Sequence, residues 1–128
     1  MKKIKVLWVE DDPNFPGSIN YKIRSFLRET HIEFDEDYLK NGKYVWDVVR
    51  DWQPDLIMMD HNLEDVLING ANLIVQIRFH SNDTPIIFYS SEMGPLLIEL
   101  VEDTDVVICS RGDVSEELVR LIKSKFLE

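Results

Sequence analysis

Cysteine is almost absent from this sequence: Cys109 is the only one among 128 residues. A single thiol cannot form a disulfide within the chain, so we expect a protein of a reducing cytoplasm. Long apolar runs are missing as well. None approaches the roughly 18 residues that a membrane-spanning helix needs, and the apolar stretch after the basic start is too short for a signal peptide. These absences predict a cytoplasmic protein that does not use a membrane.

Basic residues are scarce relative to acidic ones. The chain has 14 Lys and Arg against 24 Asp and Glu, which gives a formal net charge of −10. A surface this acidic repels nucleic acids and anionic membranes, so neither is an expected partner. With 45% hydrophobic and 30% charged residues, the remaining composition is typical of a soluble globular protein. The length predicts a single domain over residues 1–128.

Apolar segments of two kinds alternate along the chain. Five short runs predict strands, at residues 4–9, 31–38, 54–60, 84–90 and 105–110. Apolar residues at helical spacing predict helices at residues 18–29, 42–52, 70–80, 94–103 and 113–127. Ser18 is the expected cap of the first helix, and Asp113 or Ser115 of the last. The acids of the second strand suit an edge position.

Alternation of strands and helices predicts an α/β fold with a parallel sheet and helices on both faces. For five strands, right-handed crossovers favour a flavodoxin-like (βα)5 three-layer sandwich with strand order 2-1-3-4-5. In such a sheet, ligands bind at the carboxyl ends of the strands.

Polar side chains stand at the ends of three strands that this order makes neighbours. Glu10 and Asp11 follow the first strand, Asp60 ends the third, and Ser90 ends the fourth. Carboxylates that meet in one cleft stay ionised when a cation lies among them. Oxygen ligands around an open position suit Mg²⁺. The alternative is that these acids are solvated loop residues.

Through these residues the chain resembles a response regulator receiver domain of a two-component system, over about residues 3–126. The family carries an acidic pair after strand 1, matched by Glu10 and Asp11, with Asp12 adjoining. It carries a phosphoacceptor aspartate after strand 3, matched by Asp60, and a Ser or Thr after strand 4, matched by Ser90.

The resemblance implies that a histidine kinase or phosphotransfer protein donates a phosphoryl group to Asp60 in the presence of Mg²⁺. It further implies that Glu10, Asp11, Asp60 and the backbone carbonyl of Asn62 are the Mg²⁺ ligands. Ser90 would donate its hydroxyl to the phosphoryl group. Beyond accepting and hydrolysing this group on itself, the protein is not expected to be an enzyme.

Three features depart from the family pattern. The family places a lysine at the end of strand 5, where this chain has Ser110, or Arg111 if the register shifts by one. Arg111 is a candidate for the missing cation, and a surface arginine near a turn is the alternative. The aromatic residue that acts as a switch on strand 5 is replaced by Val107. The loop after Asp60 is predicted to be longer than usual, because the glycine that ends it is Gly70.

These departures leave a second interpretation open, a pseudo-receiver that uses the fold for protein interactions and is not phosphorylated. A phosphohydrolase of the dehalogenase type is a weaker third, since Glu10 and Asp12 have the required spacing but the chain has little room for a substrate cap. Output is expected through a homodimer or partner protein at the face of the fourth helix (94–103), the fifth strand (105–110) and the fifth helix (113–127). We expect a stand-alone domain, with a fragment of a longer protein as the alternative.

Overall fold

Five parallel strands form the centre of the protein. The computed structural model describes residues 2–63 and 68–127. Its strands are β1 (Lys2–Val9), β2 (Ile32–Leu39), β3 (Leu56–Asp60), β4 (Ile86–Ser90) and β5 (Val107–Ser110). Their order in the sheet is β2-β1-β3-β4-β5, and every neighbouring pair is parallel. The predicted flavodoxin-like fold is therefore confirmed, and β2 lies at an edge as its acids suggest.

Helices connect the strands and cover both faces of the sheet. They are α1 (Phe15–Lys22), α2 (Arg24–Thr30), α3 (Val45–Trp52), α4 (Gly70–Phe79), α5 (Pro95–Val101) and α6 (Val114–Lys125). Short 3-10 turns, Glu102–Thr104 and Arg111–Asp113, flank β5. None of the helices within the described ranges has the length and apolarity needed to traverse a bilayer.

The core has two halves, one on each face of the sheet. Along β1, Val6 and Trp8 belong to the half that α1 and α6 cover, whereas Leu7 and Val9 belong to the half that α3 and α4 cover. Strands buried on both faces have few polar positions, which is why the second half of β1, and β3 and β4 up to their last residues, are apolar runs in the sequence.

The segment predicted as one helix over residues 18–29 is two shorter helices that begin earlier. Ile23 separates α1 from α2, with φ −104° and ψ 10°. The start at Phe15 is possible because Pro16 lies in the first turn, where its missing N–H is not needed. The predicted cap at Ser18 is wrong, since Ser18 lies inside α1 and its hydroxyl donates to the Phe15 carbonyl at 2.8 Å.

α6 begins where the sequence predicts, but the expected capping hydrogen bond does not form. Asp113 precedes the helix, as one of the two predicted caps, yet its side chain makes no capping hydrogen bond. Its Oδ2 atom instead accepts from the Ser110 hydroxyl at 2.9 Å. This contact fixes the turn that follows β5.

The loop between β3 and α4 is described only at its two ends. Residues 64–67, on which the prediction of extra length falls, lie outside the described residues. At the far end, the N–H of Gly70 donates to the carbonyl of His61 at 3.0 Å. The first turn of α4 therefore lies directly against the end of β3.

Candidate functional site

Three buried polar side chains lie at the carboxyl edge of the sheet. Glu10 follows β1, Asp60 ends β3 and Ser90 ends β4, and they are 6%, 3% and 1% exposed. Apart from aromatic residues, no other residue with a hydroxyl, amide or charged side chain in the described ranges is buried to this extent. Carboxylate oxygens of Glu10, Asp11 and Asp60 lie within 4.8 Å of one another. The acids that the sequence places after separate strands thus form one cluster.

Arg111 inserts its guanidinium group into this cluster. Its Nη1 atom lies 3.0 Å from Oε1 of Glu10 and 3.2 Å from Oδ2 of Asp60. Nη2 lies 3.8 Å from Oδ2 of Asp12. The guanidinium carbon is 3.9 Å from the centre of the Phe15 ring, where the negative face of the ring attracts a cation. Arg111 therefore lies among the acids and not on the open surface.

Ser110, the other candidate for the family's lysine position, does not face the acids. It pairs with Ser90 in the register of β4 and β5, but its hydroxyl is bound to Asp113. Val107, at the position of the switch aromatic, pairs with Ile87 and packs against the core under α6. The cation at this end of β5 therefore comes from the residue after the strand.

Tyr89 is a site residue that the sequence pattern does not reveal. Alternation along β4 points its ring away from Ser90 and into the core half under α1 and α6. Its hydroxyl nevertheless donates to Oε1 of Glu10 at 2.9 Å. Burial, followed by the charges of Glu10 and Asp60, raises the pKa of this hydroxyl. Tyr89 therefore remains a protonated donor that holds Glu10 in place.

A small hydrogen-bond network connects Asp60 to Ser90. The backbone N–H of Asn62 donates to Oδ1 of Asp60 at 3.3 Å, and its side-chain amide donates to the Ser90 hydroxyl oxygen at 3.4 Å. The N–H of Glu92 donates to the same oxygen at 3.2 Å. Asn62 thus lies between the two strand ends, and the assignment of its carbonyl as a metal ligand stays a prediction.

The proton affinities of the acids reflect their crowding. Burial, followed by the charge of Glu10, raises the pKa of Asp60 to about 7, although Arg111 acts in the opposite direction. Burial and then contact with Glu10 also raise the pKa of Asp11. One guanidinium group therefore does not neutralise the cluster. Oxygen donors around uncompensated negative charge suit a hard divalent cation, so these residues fit Mg²⁺.

The comparison with known families gives a clear match. The family model for the response regulator receiver domain matches residues 6–102. This span includes the acids after β1, the whole of β3 and β4, and α5. No curated protein matches the chain by sequence.

Solved structures of receiver domains share the fold. A signal receiver domain from Vibrio parahaemolyticus superposes with a TM-score of 0.77 at 15% identity, covering 95% of this chain and 88% of its own. A Francisella response regulator receiver domain gives 0.73 at 21% identity, covering 94% of both chains. The Mn²⁺-bound response regulator Rcp1 gives 0.68 at 18% identity, covering 98% and 95%. The resemblance deduced from the sequence is confirmed at the level of family and fold.

Proposed function

The chain belongs to the response regulator receiver domain family, and on this basis we propose that it accepts a phosphoryl group on Asp60 from a histidine kinase or phosphotransfer protein. The observation that carries the proposal is the cluster of Glu10, Asp11 and Asp60, whose oxygens lie within 4.8 Å. A buried carboxylate beside two others suits a nucleophile that works next to a cation. No nucleic acid or membrane is required for this role.

Asp60 would carry the chemistry. One carboxylate oxygen forms a bond to phosphorus while the P–N bond of the phosphohistidine breaks, and the imidazole nitrogen keeps the bonding electron pair. The N–H of Asn62, which donates to Oδ1 at 3.3 Å, helps to orient this carboxylate. An oriented nucleophile reduces the entropy that the transfer costs.

The remaining residues of the site would bind Mg²⁺ and stabilise the phosphoryl group. Glu10, Asp11, Asp60 and the carbonyl of Asn62 are the proposed Mg²⁺ ligands, and a bound Mg²⁺ supplies charge that offsets the phosphoryl oxygens. The Ser90 hydroxyl is in place to donate to one phosphoryl oxygen. Arg111 is the proposed replacement for the family's lysine, because it is the cation that reaches Asp60 from the end of β5.

A pseudo-receiver that is never phosphorylated is the second candidate, and one contact favours it. Arg111 already pairs with both Asp60 and Glu10, and Val107 lacks the ring of an aromatic switch. A guanidinium group that stays in this position would leave the acceptor carboxylate permanently occupied. The two candidates differ in whether a phosphoryl group can be attached to Asp60.

Output through the face of α5, β5 and α6 is also part of the proposal. Leu96 and Leu100 on α5 are 80% and 61% exposed, and Glu99 is the only charged residue in this helix. Exposed apolar residues on one helix are typical of protein contact sites. A second copy of the chain or an output protein would cover them. Cys109, a buried thiol, is compatible with the cytoplasm as the compartment.

Intact mass spectrometry after incubation with acetyl phosphate and Mg²⁺ tests the proposed function. We expect one phosphate-sized mass gain in the parent, none when Mg²⁺ is chelated, and none in Asp60→Asn. Asp83→Asn is the matched control, because Asp83 is exposed and precedes β4, at the opposite edge of the sheet. An unmodified parent would favour the pseudo-receiver, and modification of Asp60→Asn at the parental rate would refute the assignment of Asp60.

A further inference from the structure

We propose that Arg111 is an internal counter-cation that competes with Mg²⁺ for the acidic cluster, and that Phe15 holds it there. This inference rests on the proposed function, because it concerns the same carboxylates. It adds a form of regulation to that function, in which the cluster binds a divalent cation only when the guanidinium group moves aside.

The first reason is that the guanidinium group and a cation need the same carboxylates. Nη1 of Arg111 contacts Oε1 of Glu10 and Oδ2 of Asp60 at 3.0 and 3.2 Å. Both carboxylates belong to the set that is suited to a metal ion. A nitrogen at hydrogen-bond distance from both occupies the space between them. A divalent cation that binds these two oxygens must therefore displace Nη1.

The second reason is that Arg111 is held from its other side. Phe15 lies under the guanidinium group at 3.9 Å, and the Phe15 ring itself packs against Tyr89 at 5.3 Å and Trp8 at 6.3 Å between ring centres. Trp8 and Tyr89 are fully buried, so the support is rigid. The side chain of Arg111 is only 27% exposed. These contacts make the inserted position a defined state of the side chain.

The expected consequence is a reduced apparent affinity for Mg²⁺. When the binding-competent form is a fraction of the population, the apparent dissociation constant rises by the inverse of that fraction. One charge-assisted hydrogen bond to Asp60, one ion pair with Glu10 and the contact with the Phe15 ring are enough to keep the open form at about one molecule in ten or fewer. Removal of the guanidinium group should therefore tighten Mg²⁺ binding by about tenfold or more.

Calorimetric titration with Mg²⁺ at fixed ionic strength tests this inference. Arg111→Met keeps the aliphatic stem and removes the charge, and we expect it to bind Mg²⁺ about tenfold more tightly than the parent. Phe15→Leu leaves every charge in place and should tighten binding by a smaller factor. Arg120→Met is the matched control with no expected change, since Arg120 is exposed and pairs with Glu117 on its own helix.

Thermal denaturation gives a second readout. Without divalent cations, Arg111→Met should melt at a lower temperature than the parent, because the carboxylates lose their counter-cation. Mg²⁺ should then raise the melting temperature of the variant more than that of the parent, since at a given concentration a tighter ligand stabilises the folded state more. A surface arginine with no role in the cluster would change neither value.

The outcomes separate this inference from the proposed function. Tighter binding by Arg111→Met, or binding by the variant alone, supports the inference. Equal or weaker binding by the variant, with measurable binding by the parent, overturns it and leaves the proposed function intact. If neither protein binds Mg²⁺, the inference is overturned and the Mg²⁺-dependent function falls with it.

Discussion

Gly70 is the point at which α4 touches the end of β3, and Gly70→Ala tests how rigid that contact is. A Cβ atom at this position would lie 2.2 Å from the carbonyl oxygen of Asp60 and 2.9 Å from the Cα atom of His61. Both neighbours are backbone atoms, so no side chain can turn away. The φ angle of Gly70 is not positive, and alanine is therefore opposed only by crowding.

The magnitude follows from the movement that would relieve the contact. An ordinary contact needs about 3.4 Å or more, so α4 or the end of β3 must move by more than about 1 Å. Overpacking of this kind costs about 1–3 kcal/mol. Gly70 is the first residue of α4, so the better propensity of alanine for helix interiors offsets little of this cost. We expect Gly70→Ala to lower the free energy of unfolding by about 1–3 kcal/mol.

Urea denaturation followed by tryptophan fluorescence measures this effect. Gly17→Ala is the matched control, because Gly17 lies within α1 and a Cβ atom there would meet nothing within 4 Å. That variant should be more stable than the parent by about 0.5–1 kcal/mol. If Gly70→Ala is stabilised to the same extent as Gly17→Ala, the packing of α4 against β3 yields without cost and the reasoning is refuted.

Three other variants have expected outcomes. In chelator at pH 8, Asp60→Asn should raise the free energy of unfolding by up to about 4 kcal/mol, since the pKa of Asp60 is raised to about 7. The folded state thus disfavours the ionised form of Asp60, and the contribution of this group to the free energy of unfolding falls as the pH rises from about 4 to about 7. The advantage of Asp60→Asn should therefore shrink towards pH 4. A difference that does not depend on pH would contradict this. Tyr89→Phe should lower the free energy of unfolding by about 1–2 kcal/mol in urea denaturation, because Glu10 loses a buried hydrogen-bond donor. An unchanged midpoint would show that this hydrogen bond does not contribute to stability. Arg78→Lys should lower the free energy of unfolding by about 2 kcal/mol, because an ammonium group cannot replace a guanidinium group that donates to four backbone carbonyls. Arg50→Lys, at an exposed position, is the control and should melt like the parent.

The fold could be predicted because the apolar runs are unambiguous. The second half of β1, and β3 and β4, are buried on both faces. Short apolar runs of this kind are typical of the buried strands of a parallel sheet. The acids after β1 and β3 were predictable for the same reason, since the sheet order brings strand ends together whatever the loops do. The boundaries of α1 were not predictable, because Pro16 is equally compatible with a loop and with a first helical turn.

Contacts that depend on side-chain reach could not be read from the sequence. Arg78 donates to the carbonyls of Thr104 and Asp105, which follow it by 26 and 27 residues. Nothing near it in the sequence distinguishes it from a solvated arginine on a helix. Strand alternation points Tyr89 away from Ser90, but alternation does not show that its hydroxyl extends to Glu10. Such contacts join residues far apart in the chain, and local patterns hold no information about them.

At the end of β5, the positive charge comes from a different residue than the one at the position where the family has its lysine. Three clustered carboxylates need positive charge, but the position that pairs with Ser90 is Ser110, which has none. An arginine side chain is longer than that of lysine, and from the next residue Arg111 still reaches Asp60 at 3.2 Å. Its planar fork also contacts Glu10, which a compact ammonium group would do less readily. The one-residue displacement thus brings a larger cation into the cluster, and the same geometry that makes Arg111 a candidate partner for a phosphoryl group makes it a competitor for Mg²⁺.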